Sequence, residues 1–220
     1  MFISVKTFDY IIADTHFNHT NMLSYELSRI EQTKLSGYNS FEDMIINNWN
    51  KTINTNTNVL HLGDVAFDDG YKLVEKLNGN ITLIIGNHDK KEHIIFYKQQ
   101  KWKIIDKIVL DIPKAHLVQN KLSKQFSKEQ LSNNLLACLV MDIDNKRIMF
   151  SHFPVFDNNP YDKKYKKITE VLDVIFEITN CNVNIHGHTH SKKANKDFCI
   201  NACLELNNFK PLELISIFNN

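Results

Sequence analysis

Val59-Leu60-His61-Leu62-Gly63-Asp64 and, downstream, Ile81-Thr82-Leu83-Ile84-Ile85-Gly86-Asn87-His88-Asp89 share one plan: an apolar run, a glycine, then side chains that carry chemistry. Short β-branched runs bounded by turn formers read as buried strands. Between them, residues 71–77 have helical spacing and stop at Asn78-Gly79, a good helix terminator. Strand, helix and strand joined by ordinary loops imply parallel pairing through a right-handed crossover. Ligands in such folds gather beyond the carboxyl ends of the strands. The stretch therefore predicts an α/β fold with Asp64 and the 86–89 motif on its working edge.

The pattern extends on both sides. Residues 8–13 form an apolar strand that stops at Asp14, and the polar stretch 18–39 has room for one short helix. Ser40 reads as an N-cap, and Phe41, Met44, Ile45 and Trp49 recur at helical spacing, so 41–51 is a helix. The second half is richer in strands, at 104–112, 135–143 and 147–150, the last two forming a hairpin around Asp144-Asn145. Residues 169–178 are an amphipathic helix through Val171, Leu172, Ile175 and Phe176, and short strands close the chain at 183–185, 198–202 and 212–217. Residues 113–134 are Lys-rich and too short for a core of their own. They read as an insertion in a single domain over 1–220, with Ser127 and Gln130 capping a short helix at 128–131.

Composition narrows the function classes. The net charge is +1, from 26 basic and 25 acidic residues, which argues against a chain that coats nucleic acid or an anionic membrane. Only Arg29 and Arg147 are arginines, so bidentate clamps on phosphate are scarce and a metal must supply much of the positive charge. The four cysteines form no C-x-x-C pair and sit in apolar surroundings, as buried free thiols of a reducing compartment. The first 12 residues make a poor signal peptide, and no run approaches the roughly 18 apolar residues of a membrane span. The expectation is a cytoplasmic protein, or one in host cytoplasm if viral, with no membrane partner.

Five apolar runs end in residues of one chemical kind: Asp14-Thr15-His16, Gly63-Asp64, Gly86-Asn87-His88-Asp89, Ser151-His152 and Gly187-His188-Thr189-His190. Singly, each has a plainer reading: Gly63-Asp64 as a turn, Asp89 as the cap of a following helix, His152 as a core histidine. Their order and their place after strands make the set specific. Alternation along an extended segment puts Asp14 and His16 on one side, and likewise His188 and His190. The Asp64 carboxylate has two oxygens and can bridge two ions. Asn87 offers a neutral hard oxygen, and His88 beside it can protonate a departing alkoxide. Such a mixed oxygen and nitrogen set suits a pair of divalent cations that hydrolyse phosphate esters.

With these blocks in order, the chain resembles the calcineurin-like metallophosphoesterase superfamily, whose signature is D-x-H, G-D, G-N-H-D/E, a lone H, and G-H-x-H. The match runs from Asp14 to His190, and the surrounding sequence looks like a small bacterial and phage branch of phosphoesterases. The resemblance implies two facing mixed β-sheets flanked by α-helices. It also implies one metal on Asp14, His16 and His190, a second on Asn87, His152 and His188, and Asp64 as the bridge. His88 would be the catalytic acid, Asn87 and His88 would bind the substrate phosphate, and a metal-bridging hydroxide would attack in line. Manganese is the expected metal, with iron or zinc as alternatives. The implied substrate is a phosphodiester or phosphomonoester, nucleotide-like, with no stable nucleic-acid partner. A protein phosphatase is not implied, because residues 64–70 lack the Arg of that branch and Asp89 replaces its usual Glu. Two rivals are a nuclease on single-stranded nucleic acid and a non-catalytic interaction scaffold on the same fold.

The remaining histidines have quieter expected roles. His19 supports the site or touches substrate, His61 packs, His186 lies behind the paired imidazoles, and His93 and His116 are surface residues. Trp49 and Trp102 are core. The lysines at 163, 164, 166 and 167 form a solvated face able to draw a polyanion toward the cleft.

Overall fold

A computed structural model describes residues 8–157 and 160–218; the N-terminal reading at 1–7 lies outside the described residues. The first sheet contains β1 (Tyr10–Ile12), β2 (Asn58–His61), β3 (Asn80–Ile84) and β4 (Lys103–Ile105), all parallel. The second contains β5 (Ile108–Asp111), β6 (Cys138–Ile143), β7 (Lys146–Ser151), β8 (Val183–His186) and β9 (Cys199–Asn201) in that order. A last strand, β10 (Leu212–Glu213), returns antiparallel to the outer edge of β1. Only β6 and β7 run antiparallel in the second sheet, as the hairpin around Asp144-Asn145 requires.

The two sheets face each other across one core. Along β6, Leu139 and Met141 point into it while Cys138 and Val140 point to the outer face, the period of two that a strand imposes. Both faces are covered, which is why these strands read as continuous apolar runs. The outer face lies under α7 (Lys166–Thr179), whose stripe is the expected Val171, Leu172, Ile175 and Phe176. On the first sheet α3 (Phe41–Thr52) begins as expected, with Ser40 Oγ accepting from Asp43 N at 3.1 Å. It buries Phe41, Met44, Ile45 and Trp49.

Several readings are corrected. The stretch 18–39 holds two helices, α1 (Thr20–Tyr25) and α2 (Leu27–Leu35). The second buries Arg29 and Thr33 rather than an apolar stripe, so hydrophobic periodicity cannot reveal it. The run 104–112 is two strands in different sheets, because exposed Asp106 and Lys107 carry the chain from one to the other. Residues Asp68–Lys76 wind as a 3₁₀ helix. Its rise of about 2.0 Å per residue, against about 1.5 Å for an α-helix, lets a short connection return along the full length of β3. The chain turns helical again at Ile215–Ile217, which shortens the last strand. His93 is buried in α4 (Lys91–Gln99), stacked on Tyr71 at 4.7 Å, whereas His116 is exposed as expected. The 113–134 stretch folds as α5 (Ala115–Gln125) and α6 (Lys128–Leu131), with the Ser127–Gln130 capping box formed. Among the described residues, no helix is long and apolar enough to cross a membrane.

Candidate metal centre

β1, β2 and β3 deliver Asp14, Asp64 and the Asn87-His88 pair from their carboxyl ends, while β7 and β8 deliver His152, His188 and His190 from the facing sheet. Asp14 Oδ1 lies 3.5 Å from His16 Nε2 and 3.8 Å from His190 Nε2. Asp64 Oδ2 lies 3.7 Å from His16 Nε2 and the same distance from His152 Nε2. His152 Nε2 is 2.8 Å from Asn87 Oδ1. Two trios, Asp14/His16/His190 and Asp14/Asp64/His152, hold all their ligand atoms within 4.8 Å of one another. His188 belongs to neither trio; its ring centroid stands 5.2 Å from that of His152, and its backbone N–H donates to Asp14 Oδ2 at 2.8 Å. His88 is exposed on the rim, its ring 5.0 Å from Phe67 and 5.9 Å from His16.

The donors are chemically prepared for a cation. Ligands about 2.0–2.2 Å from a metal lie roughly 3–4 Å from one another, which is the spacing found here. Asp14 Oδ1 and His16 Nε2 are buried without a hydrogen-bond partner. In three imidazoles the Nδ1 atom is engaged by the protein. His152 Nδ1 donates to Leu62 O at 2.8 Å, His190 Nδ1 faces Glu205 Oε1 at 3.4 Å, and His16 Nδ1 faces His19 Nδ1 at 3.3 Å. Nε2 is therefore the atom turned toward the carboxylates, and it offers a lone pair to a cation when the ring is neutral with its proton on Nδ1. With the ring in that neutral form, His152 Nε2 and Asn87 Oδ1 meet as two acceptors, a contact that a shared cation makes favourable. These residues fit divalent cations.

Electrostatics point the same way. Burial, with repulsion from Asp14 and Asp89, holds the Asp64 carboxyl well above its ordinary range. Burial pushes Asp14 up as well, but the His16 contact and the charges of His152 and His190 outweigh it and hold Asp14 well below. The two carboxylates cannot both ionise comfortably without positive charge between them. Burial pushes His16 down to about 3, so it is a neutral donor.

The backbone geometry differs from the extended segments expected. Asp14, His16, Asp64, His188 and His190 all have left-handed φ, between 48° and 69°. Such residues cost about 1–3 kcal/mol each and persist only where the surroundings over-determine them. The side chains converge because the chain coils at these candidate ligands, and strand alternation is not the cause. Close approach leaves no room for larger neighbours: a Cβ at Gly86 would strike the Asp64 carboxylate, and one at Gly187 that of Asp14.

The over-determining contacts come largely from residues whose roles the sequence did not disclose. Asp89 caps no helix; the N-cap of α4 is Lys90. Its carboxylate accepts from Gly86 N at 2.7 Å, Asp64 N at 2.9 Å and Val65 N at 3.0 Å, lashing two ligand loops together. His61 Nδ1 accepts from Gly63 N at 3.2 Å, its Nε2 meets Thr15 Oγ1 at 3.1 Å, and Thr15 donates to Val65 O at 2.8 Å. Cys203 Sγ donates to Asp14 Oδ2 at 3.2 Å, and burial keeps that thiol protonated. His186 Nδ1 donates to Gly187 O at 2.8 Å, behind the site. His19 braces His16 and stacks on Phe67 at 3.6 Å.

The deepest brace is an ion pair. Arg29 is fully buried, and its Nε donates to Glu205 Oε1 at 2.7 Å. Its Nη2 donates to Asp14 O at 2.8 Å and its Nη1 to Thr15 O at 3.2 Å. Burial works against the Glu205 charge, but His190 and Arg29 together hold its carboxyl below the ordinary range. The one available signal was the rarity of arginine in a Lys-dominated chain.

Comparison with known proteins fits this geometry. The model of the calcineurin-like phosphoesterase superfamily domain matches residues 10–207. The chain belongs to that superfamily. An uncharacterised protein of Methanocaldococcus jannaschii is 35% identical over 107 residues, 44% of this chain. The match spans 56% of that protein's length. The crystal structure of a protein of unknown function from Aquifex aeolicus superposes with a TM-score of 0.64 at 23% identity, covering 96% of this chain and 97% of that one. At that identity the likeness establishes a shared fold.

Proposed function

We propose that this phosphoesterase-superfamily chain is a two-cation hydrolase of phosphate esters, with phosphodiesters of nucleotide type as its preferred substrates. The observation that carries the reading is Asp64 Oδ2, a single carboxylate oxygen 3.7 Å from the Nε2 of both His16 and His152. One oxygen between two imidazoles could be shared by two cations. Asp14, His16 and His190 would hold one cation, and Asn87, His152 and His188 the other. Manganese is the proposed metal. Bound cations would polarise the phosphate and lower the pKa of a water molecule toward neutrality.

The chain's own groups supply the rest. The His88 backbone N–H donates to Asp64 Oδ1 at 2.8 Å, which fixes the 86–89 loop and sets the His88 ring at the mouth. Desolvation and neighbouring imidazoles push His88 down to about 4, so it waits as a neutral ring. An anionic phosphate arriving beside it favours the protonated form that the departing alkoxide needs. The scaffold alternative is disfavoured, since all seven ligand candidates are present around one cleft.

The test is reconstitution. Metal-stripped protein should be inactive, should bind two Mn²⁺ per chain by elemental analysis, and should then hydrolyse an aryl phosphodiester. Asp64→Asn should cut kcat by orders of magnitude. Full activity in that variant, or one metal per chain at saturation, would overturn the bridging assignment.

A further inference from the structure

Both arginines of the chain are engaged internally. Arg29 is buried on Glu205, and Arg147 makes a forked pair with Asp142 at 2.7 and 3.0 Å. Any positive charge offered to a substrate beyond the metal ligands must therefore come from lysine. Lysine is a point charge suited to phosphates in general, without the fork geometry that selects one.

The lysines are unevenly placed. Two segments leave the metal centre from the second sheet, one after His152 and one after His190. Residues 157–170 and 191–197 together carry seven lysines against four carboxylates, in a chain whose net charge is only +1. Lys163, Lys164, Lys166, Lys167, Lys193 and Lys196 are all exposed. The start of the first segment meets the second, with Asn195 Nδ2 donating to Asp157 Oδ1 at 2.8 Å. They are also tied to the centre. The Tyr165 ring stands edge-on to His188, centroids 5.7 Å apart, and Lys164 Nζ lies 5.1 Å over that same ring. Asn201 Nδ2 donates to both the His190 and Lys192 carbonyls at 2.9 Å, which pins the start of the second segment to the ligand.

The first-sheet rim is mixed in sign, with Lys90 and Lys91 exposed just past Asp89. Beside His16 and His19, Asn18 is held by the Glu42 carboxylate at 3.1 Å and the Asp69 carboxylate at 2.7 Å, with Asp68 exposed next to them. The net basic excess therefore lies on the segments that follow His152 and His190. A small near-neutral ester gains nothing from this excess, whereas a chain of phosphates gains along its length.

Building on the proposed hydrolase reading, we infer that the substrate is a single-stranded oligonucleotide, whose flanking phosphates run over the lysines of 163–167 and 193–196 while one phosphodiester sits at the metal centre. Recognition is by backbone charge and not by sequence.

The test has a binding arm that does not depend on turnover. A fluorescent single-stranded DNA 12-mer is titrated with metal-free protein by anisotropy between 50 and 200 mM salt. If about four lysines each displace a counterion, affinity falls about 50-fold across that range. Lys163→Ala/Lys164→Ala/Lys193→Ala should reduce the drop to about threefold. In the Mn²⁺-loaded enzyme the same variant should lower the 12-mer to aryl-diester selectivity in kcat/KM by at least tenfold. Salt-insensitive binding, or an unchanged selectivity ratio, overturns the inference. Salt- and lysine-dependent binding without hydrolysis of either substrate would instead sustain the track and remove the hydrolase reading.

Discussion

Replacing Glu205 with Gln isolates the contribution of the buried brace. The side chain keeps its shape and its acceptor for His190, but Arg29 is left as a fully buried guanidinium with no carboxylate. Removing one partner of such a pair costs about 3–5 kcal/mol. For a chain of 220 residues that corresponds to roughly 6–20 °C in melting temperature. The metal-free protein, followed by calorimetry or urea unfolding, is the appropriate material. The double variant Arg29→Met/Glu205→Gln removes both charges and should recover most of that stability, since neutral replacement of a buried pair is often harmless. It should not recover metal binding, because Asp14 O and Thr15 O lose the donors that hold the ligand loop. Loss of such supporting contacts typically weakens metal affinity about 10–100-fold. Stability and Mn²⁺ affinity therefore separate in the double variant. A Glu205→Gln protein within about 1 kcal/mol of wild type, or a double variant with native Mn²⁺ affinity, would refute the reasoning.

His88→Ala should slow alkyl phosphodiesters by about 10²–10⁴-fold and aryl diesters far less, since only poor leaving groups need a proton; equal losses in steady-state assays would remove the acid role. Burial pushes His61 down to about 3, below its unfolded value near 6.5. Its contribution to stability is therefore complete above about pH 6.5 and is lost progressively as the unfolded chain takes up the proton toward pH 3, by about 5 kcal/mol at most. His61→Gln should remove one proton from the pH dependence of the urea midpoint of metal-free protein, and an unchanged slope would contradict this. Gly187→Ala drives a methyl into the Asp14 carboxylate and should weaken Mn²⁺ binding at least tenfold in calorimetric titration; native affinity would show that the loop has room to move.

The amino-acid order by itself determined the strand-and-crossover plan and the edge on which the chemistry lies. Apolar runs ending in Asp14, Asp64, Asn87, His152 and His188 announce both facts locally, because burial of a strand and punctuation by glycine are properties of a few adjacent residues. It also fixed the Ser40 and Ser127 caps, whose partners are three residues away. Only the tertiary structure decided how the candidate ligands are aimed. The left-handed turns at Asp14, His16, Asp64, His188 and His190 look unfavourable locally and exist because distant groups hold them. Arg29 meets Glu205 across 176 residues, and Asp89 reaches back 25 to Asp64. The split of 104–112 between two sheets has the same origin, since which sheet a short apolar run joins depends on the neighbours that cover it. Short-range pattern records what a segment buries, but the partner that satisfies a buried charge is set by where the whole chain returns.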